Sequence, residues 1–298
     1  MTTINAAIPT TPPVVIRKPR SVFWLLMHNH NFVIGMSIFL AIFALAMIAN
    51  FFIEVGMRTS GALPAHEAPG QGSLLGTDSL GKSIANTLGE AIPHSLQVGL
   101  IAATLGTFIG ALVGFTSGYF GGIIDAILRV LIDVFLSVPS LLFLILISAL
   151  LQGVNVFGMA VIIGIFSWAW PARQVRAQVL SLKERGFVQV ARMSGMSGME
   201  IITVELMPHM APWLGANYVN AFIAAILAES GLSILGLGPQ REMTLGMMIY
   251  WSLSYGALLQ NMWWWWAIPV VILIALFLAL YLIHIGLEEV SNPRLRQV

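Results

Sequence analysis

The residues Gly76-Thr77-Asp78-Ser79-Leu80-Gly81-Lys82-Ser83 fit the nucleotide-binding pattern G-x-x-x-x-G-K-[ST] letter for letter. In that pattern the backbone N–H groups wrap phosphate, the lysine reaches the outer phosphates and the hydroxyl holds magnesium. The chemistry needs a buried hydrophobic strand feeding the loop. Here Ala65-His66-Glu67-Ala68-Pro69-Gly70-Gln71-Gly72-Ser73 precedes it, which is no strand, and no apolar run ending in a carboxylate offers a magnesium-holding strand elsewhere. The match is therefore rejected as an ATP site. His28 and His30 form a pair without a third ligand of suitable spacing, so no metal site is expected. There is no cysteine and no serine in a G-x-S-x-G elbow, which leaves catalysis by the chain without a candidate constellation. No catalytic residue and no cofactor bound by the chain itself are expected.

The setting for these residues follows from composition. Only 27 of 298 residues are charged, 14 Lys plus Arg and 13 Asp plus Glu, while 58% are hydrophobic. One globular core of this length cannot hide so much apolar surface, and a chain so rich in Leu, Ile, Phe and Trp does not stay disordered. A net charge of +1 offers no field for nucleic acid. The remaining destination is a bilayer, whose core takes about 20 apolar residues per helix. Six stretches qualify: Phe32 to Ile53, Ser95 to Gly118, Ala126 to Leu151, Val156 to Ala172, Ala211 to Leu235 and Trp263 to Leu287. The first follows a mostly polar tail and lacks a small-residue cleavage site, so it is expected to stay as a helix. The fold class expected is an all-α membrane protein with six transmembrane helices.

Lys and Arg in the loops orient it. Ten fall on one side, Arg17, Lys18, Arg20, Arg173, Arg176, Lys183, Arg185, Arg192, Arg294 and Arg296, against Arg58, Lys82 and Arg241 on the other. Both termini and the segment between the fourth and fifth spans are thus expected in the cytoplasm. The Trp263 to Trp266 run then lies at the outer interface, where indole rings prefer to sit. The expected divisions are a cytoplasmic tail and interfacial segment over 1–31, the first helix and an extracytoplasmic loop over 32–94, a five-helix core over 95–290, and a cytoplasmic tail over 291–298.

Three features inside the bundle stand out. Gly106, Gly110, Gly114 and Gly118 recur every four residues, a stripe that lets backbones approach, either within one subunit or at a dimer seam. Asp125, Arg129 and Asp133 share a face at i, i+4 and i+8 and are expected to neutralise one another, the alternative being an ion pathway. Glu229, with Ser230 beside it, lies deep in the fifth span with no Lys or Arg within a turn. An intramembrane carboxylate of that kind is a pore or gate candidate, unless it caps a neighbouring loop or pairs with a partner subunit.

The stretch Gly186 to Pro208 reads as two short helices split at Gly195 and Gly198. Phe187, Val190, Ala191, Met193 and Met196 supply an adaptable apolar surface on a segment too polar to span. The surface suits a groove on a partner, or alternatively the lipid interface.

This segment resembles the signature of the inner-membrane permease subunits of ABC importers, in the dipeptide and oligopeptide branch. That signature is E-A-A, three residues, G, nine residues, then I-x-L-P. Here it reads Gln189-Val190-Ala191, Gly195 and Glu205-Leu206-Met207-Pro208, with Gln189, Val190, Glu205 and Met207 departing from the usual letters. Leu75 to Lys82, built on Gly76, Thr77, Asp78 and Gly81, resembles the branch's L-G-T-D-x-L-G-R element, which accounts for the nucleotide-like pattern. Gly118 to Gly122 with Asp125, Arg129, Asp133 and Pro139, and Glu229 to Gly238, resemble two further elements.

The resemblance implies a heterodimer with a second permease, two cytoplasmic ATPases that bind ATP and Mg, and an extracytoplasmic substrate-binding lipoprotein. It implies that Gln189 to Met199, the loop 186–208 ending at Pro208, passes ATP-driven motion to the bundle. The cargo implied is di- or oligopeptides, although some relatives carry oligosaccharides or nickel. An ion-coupled secondary transporter, which requires broken helices or carboxylates in corresponding positions of two repeats, is the alternative class.

Overall fold

The computed structural model describes residues 22–52, 59–151 and 153–291. Arg17, Lys18, Arg20, Arg58, Arg294 and Arg296, with most of the two expected cytoplasmic tails, lie outside the described residues. All regular elements among the described residues are helices, and the only bridge is an isolated one between Thr77 and Ser83.

A short α1 (Val22–Met27) leads into α2 (His30–Phe52), and α3 (Ile84–Phe120) is the central element. The third expected span is two helices, α4 (Gly122–Ser137) and α5 (Ser140–Leu150), bent by 74°. The fourth is also two, α6 (Val156–Ser167) and α7 (Ala169–Leu182), bent by 41°. After α8 (Gly186–Met193), a turn of helix α9 (Gly198–Glu200) and a π-helical turn (Ile201–Leu206) run directly into α10 (Met207–Ile234). The chain closes with α11 (Leu245–Ser254) and α12 (Trp263–Ser291). Among the described residues four helices are long and apolar enough to cross a bilayer, or up to six if each bent pair is one span.

The breaks correct the expectation of continuous third and fourth spans, and proline is the cause of the first. Pro139 forces Val138 out of the helical region, to φ −100 and ψ 131, and cannot donate to Phe135. Pro171, in the first turn of α7, likewise removes the donor that Ser167 would otherwise receive. Two spans extend past their expected limits for the opposite reason. Ile84 to His94 is buried on most sides by protein and can be polar, and the whole of Arg173 to Met210, expected as an inner loop, is largely helical.

The glycine stripe is occupied within this chain. A Cβ added at Gly110 would lie 2.7 Å from Pro171 Cβ and 2.8 Å from the Trp168 carbonyl oxygen. At Gly114 it would lie 2.7 Å from the Ala172 carbonyl oxygen, and at Gly118 2.9 Å from Val179 Cβ. At Gly106 it would strike the Ser167 hydroxyl. The stripe thus seats α3 along the end of α6 and the length of α7.

The expected mutual neutralisation of Asp125, Arg129 and Asp133 is only partly present. Arg176 of α7 donates through Nε and Nη2 to both oxygens of Asp125, at 2.6 and 2.7 Å, and Arg173 donates to Asp133 at 2.6 Å. Only Arg129 and Asp133 pair along their own helix, at 3.8 Å. The stronger partners come from α7 because it runs beside α4, a neighbour that sequence spacing does not reveal.

The two ends of the bundle are each tied by side chains. At one end Asn29 and Asn31, at the start of α2, donate to Glu289 near the end of α12, at 2.6 and 3.0 Å. Gly198 packs against Tyr119 and Phe120 at the same end. His28, one of the two histidines weighed as ligands, donates from Nδ1 to the Trp24 carbonyl oxygen at 2.9 Å and stacks on the Trp24 ring. At the other end Trp264 donates its indole N–H to the Thr77 carbonyl oxygen at 3.1 Å, and Trp264 and Trp265 are buried in protein. The tryptophan run is therefore not a simple interfacial belt: only Trp263 is largely exposed.

Candidate functional site

The segment Gly186 to Pro208 is shaped by backbone chemistry that can be followed atom by atom. Helix α8 stops where Gly195 takes φ +84. Its N–H donates to the Arg192 carbonyl at 3.2 Å and that of Met196 to the Ala191 carbonyl at 3.2 Å. These two bonds are the Schellman closure, whose left-handed residue is normally glycine. Helix α9 then starts with a capping box: Glu200 N–H donates to Ser197 Oγ at 3.3 Å, and Ser197 N–H donates to Glu200 Oε2 at 2.7 Å. Gly198 has a different role from Gly195. A side chain there would collide with Tyr119 at 2.9 Å, so it lets the turn sit on the end of α3.

One face of this segment is fixed to the bundle. Val188, Ala191, Ile201, Ile202 and Leu206 are buried with Phe115, Val175 and Val179. The opposite face carries Val190, Met193 and Met199, which are 58%, 80% and 61% exposed. Gln189 is exposed beside them, and Gly195 borders open space. The expected apolar surface is corrected accordingly: Ala191 points inward, Phe187 and Met196 are half-buried, and Met199 joins Val190 and Met193 outside. Pro208 stands in the first turn of α10, directly after the π-helical turn.

The loop over Gly76 to Ser83 carries nucleotide letters but no open phosphate cradle. The backbone N–H groups of Thr77 and Asp78 donate to the Glu67 and Lys82 carbonyls, each at 3.0 Å, and that of Gly81 donates to the Asp78 carbonyl at 3.1 Å. Those of Leu80 and Lys82 both donate to Asp78 Oδ1 at 2.8 Å. Thr77 Oγ1 donates to the Pro64 carbonyl at 2.8 Å and accepts from Glu67 N–H at 2.9 Å. The amides that would wrap phosphate are thus consumed within the loop. Gly76 and Gly81 have φ +83 and +72 and lie against Trp264 and the Leu63 carbonyl, so neither has room for a side chain. Burial pushes the Asp78 carboxyl above its ordinary value, although its bonds from Lys82 and Leu80 act the other way.

Glu229 and Ser230 do not line an opening in this conformation. Glu229 is fully buried, and its Oε1 accepts from Ser233 and Thr244 hydroxyls, both at 2.6 Å, while Oε2 accepts from Ser230 at 3.3 Å. Thr244 in turn accepts from Met247 N–H at 3.1 Å as the N-cap of α11, and Leu245 N–H donates to Ser95 of α3 at 3.0 Å. Gly246 lies where a Cβ would be 2.7 Å from Ser230 Cα. Glu229 therefore braces the start of α11, a helix too short to cross, against α10 and α3. In this conformation the carboxylate faces three hydroxyls of its own chain, an arrangement that matches the loop-capping alternative weighed for Glu229.

Several residues that carry the arrangement escape sequence reasoning. The Ser197 to Glu200 capping box was readable as S-x-x-E. Thr244 and Arg176 were not, because their partners lie 15 and 51 residues away. Among the described residues no group of three or more His, Asp or Glu is placed to hold a metal ion.

A helical bundle with up to six candidate spans and a docked, partly exposed apolar segment between two of them has the architecture of a multi-pass membrane protein. The description "binding-protein-dependent transport system inner membrane component" matches residues 106–297. A Brucella abortus protein provisionally named a peptide transport system permease is 31% identical over 287 residues, covering 95% of this chain and 93% of its own length. The oligopeptide transport system permease protein OppC of Lactococcus lactis is 28% identical over 271 residues, covering 91% and 90%. The OppC protein of Mycobacterium tuberculosis is 31% identical over 185 residues, covering 61% and 64%. The chain belongs to the family of inner-membrane components of binding-protein-dependent transport systems, the membrane subunits of ABC importers.

Proposed function

We propose that the chain forms half of the translocation path of an ATP-driven importer of di- and oligopeptides, paired with a second permease. In this reading it crosses the membrane six times, each bent pair counting as one span, with both termini and the α8 to α9 segment in the cytoplasm. The same reading takes 1–31 as tail and interfacial segment, 32–94 as first helix with outer loop, 95–290 as core and 291–298 as tail. The peptide cargo rests on the names of relatives that cover nearly the whole chain.

The observation that carries the coupling role is the exposed trio Val190, Met193 and Met199 on a segment whose other face is locked into the bundle. Two thioethers and an isopropyl group on an otherwise polar surface fit an apolar groove on a partner ATPase. ATP and Mg would be bound by the two ATPases and none by this chain. Motion of the groove would reach α10 directly, because α9 and the π-helical turn run into α10 without a break. A coupling segment of this kind shifts the equilibrium only if its contacts differ between inward and outward states. At the opposite end a cleft of about 250 Å³ bordered by Lys82, Glu90, Arg241 and Glu242 supplies mixed charge for an extracytoplasmic binding lipoprotein.

The test is purification of the tagged chain from its native membrane in mild detergent, followed by reconstitution and uptake assays. Recovery of a sister permease, two ATPases and a lipoprotein, with ATP-dependent uptake of a mixture of di- to hexapeptides, is the expected result. Recovery of the chain alone, or a complex that moves oligosaccharides or nickel and no peptide, would overturn the reading.

A further inference from the structure

The two broken spans meet at one place. A cavity of about 450 Å³ is bordered by Phe135 and Ser140 at the α4–α5 break, Ser167 and Trp170 at the α6–α7 break, and Asn217 and Asn220 of α10. Phe135 and Ser167 are the two residues whose carbonyls Pro139 and Pro171 leave without the i+4 donor of a helix. Asn217 and Asn220 lie 10 and 13 residues into the 28-residue α10, close to the middle of the span. At 1.5 Å per residue that is roughly 15 and 20 Å from its first residue. Three separate pieces of chain therefore bring polar groups to one level of the bundle.

The amides at that level are poorly satisfied by this chain. Asn217 donates weakly to the Trp213 carbonyl at 3.3 Å, and Ser167 Oγ donates to the Gly164 carbonyl at 3.1 Å. Asn220 is exposed, and neither it nor Ser140 has a side-chain hydrogen bond among the described residues. A carboxamide exposed to hydrocarbon is unfavourable, and irregular backbone at bilayer depth is tolerated where it lines a water-filled cavity or is buried in protein. The cavity wall carries no charged side chain. Carboxamides and hydroxyls without charge offer both donors and acceptors, which is what a peptide bond presents.

We propose that Asn217 and Asn220, with Ser140 and Ser167, form a subsite in the middle of the translocation path that binds the backbone amides of a passing peptide, whatever its side chains. The inference rests on the peptide-importer reading and adds where and how the cargo is held. Without a fixed charge the site would discriminate little between acidic, basic and neutral peptides. It would also bind each weakly enough to release it.

The absence of native cysteine in this chain makes the test direct. Asn220→Cys, and separately Ala224→Cys one turn along the same helix, are placed in the complete complex in lipid nanodiscs, with any partner cysteines replaced. Modification by a water-soluble cationic methanethiosulfonate is timed with and without a mixture of tri- to hexapeptides. The expected result is modification of both, slowed about 10-fold by the peptides. Alongside, Asn220→Leu should lower uptake about 10-fold for acidic, basic and neutral peptides alike, with Asn220→Gln restoring most of it. Cysteines that stay unreactive would show that the partner permease covers the cavity, and reactive cysteines without peptide protection would show a plain water-filled space. Either result overturns the subsite, as does a loss confined to one charge class. If Asn220→Leu fails to assemble, the Ala224→Cys protection assay decides alone. A wild-type complex that takes up no peptide overturns the functional reading itself, whereas one that takes up peptides with unprotected cysteines overturns only the subsite.

Discussion

Asn50 of α2 donates its side-chain amide to the carbonyl of Gly89 in α3, at 2.5 Å. That carbonyl is the one Pro93 deprives of its helical donor, since proline has no N–H to offer four residues back. Gly89 also keeps α2 close, because a Cβ there would lie 3.1 Å from Ala49 Cβ. The pair fastens the first span, which lies ahead of the family-matched region, to the central helix. Asn50→Leu leaves a part-buried acceptor unpaired and should destabilise the protein by about 1–3 kcal/mol. In a Pro93→Ala background the carbonyl regains a backbone donor and the same substitution should have a smaller effect. Thermal unfolding of the four variants in detergent measures the difference, and equal losses in both backgrounds would exclude the link.

Gly110 and Gly215 are both helical glycines with opposite surroundings. A Cβ at Gly110 meets Pro171 Cβ at 2.7 Å, whereas one at Gly215 meets nothing within 4 Å. Gly110→Ala should therefore force α3 from α7 and destabilise by about 1–3 kcal/mol. Gly215→Ala should stabilise, by about 0.5–1 kcal/mol, through the backbone entropy it removes. Unfolding temperatures of the two variants should move in opposite directions from the parent.

Asp78 sets a pH dependence in the loop between α2 and α3. Its folded-state value is raised by burial, so the folded loop holds the proton more tightly than the unfolded chain does. The stability this group contributes is greatest below its unfolded value of 3.8 and declines as pH rises from there through the raised folded value, then stays level. Asp78→Asn keeps the Oδ1 acceptor for Leu80 and Lys82 and removes the buried charge, so its stability relative to the parent should improve between pH 4 and pH 7. Asp78→Ala removes the acceptor from two backbone N–H groups and should expose them at every pH. Amide hydrogen exchange at Leu80 and Lys82 reads both effects.

The turn at Gly195, proposed above to couple the bundle to its ATPases, gives a test that separates shape from size. Gly195 has φ +84 and open space around it, so a substitution is limited by backbone strain and not by collision. Asn visits that region readily, while Val is held away from it by its branched Cβ, at about 1–2 kcal/mol. Gly195→Val should uncouple ATP hydrolysis from uptake in the reconstituted complex with the helices still inserted, and Gly195→Asn should retain most of the uptake. If Val and Asn behave alike, the left-handed turn is not what the coupling requires.

How far the sequence reveals this arrangement depends on whether the partner of a residue is near or far along the chain. The apolar runs locate α2, α3, α10, α12 and the two bent pairs because hydropathy is local, whereas the bend at Pro139 shows only in the folded chain. The glycine stripe shows that something packs closely, but only the folded chain shows that the neighbour is Ser167 to Val179. The same limit governs the segment Gly186 to Pro208. The 3.6-residue periodicity of Gly186 to Met193 identifies a helix, yet Ala191 is turned inward by Phe115 and Val175, more than 15 residues distant. Asn217 and Asn220 pass unnoticed because two carboxamides in an apolar run carry no charge. Their interest arises only when two broken spans come to rest beside them.

Glu229 offers the last test, because the bond pattern distinguishes a brace from a charge. Its Oε1 takes two hydroxyl protons, from Ser233 and from the Thr244 cap of α11, and no cation approaches it among the described residues. If the acceptor geometry is what matters, Glu229→Gln should preserve the contact through its amide oxygen and leave the fold nearly unchanged. Glu229→Leu should free the Thr244 hydroxyl and Ser233 together and destabilise by about 1–3 kcal/mol, the range for buried polar groups left unpaired. The loosening should be local, read as faster hydrogen exchange at Met247 and Met248, whose N–H groups lie in the first turn held by Thr244. A Gln variant as damaged as the Leu variant would show that the negative charge is required, and would return the carboxylate to the list of groups that move or meet a cargo.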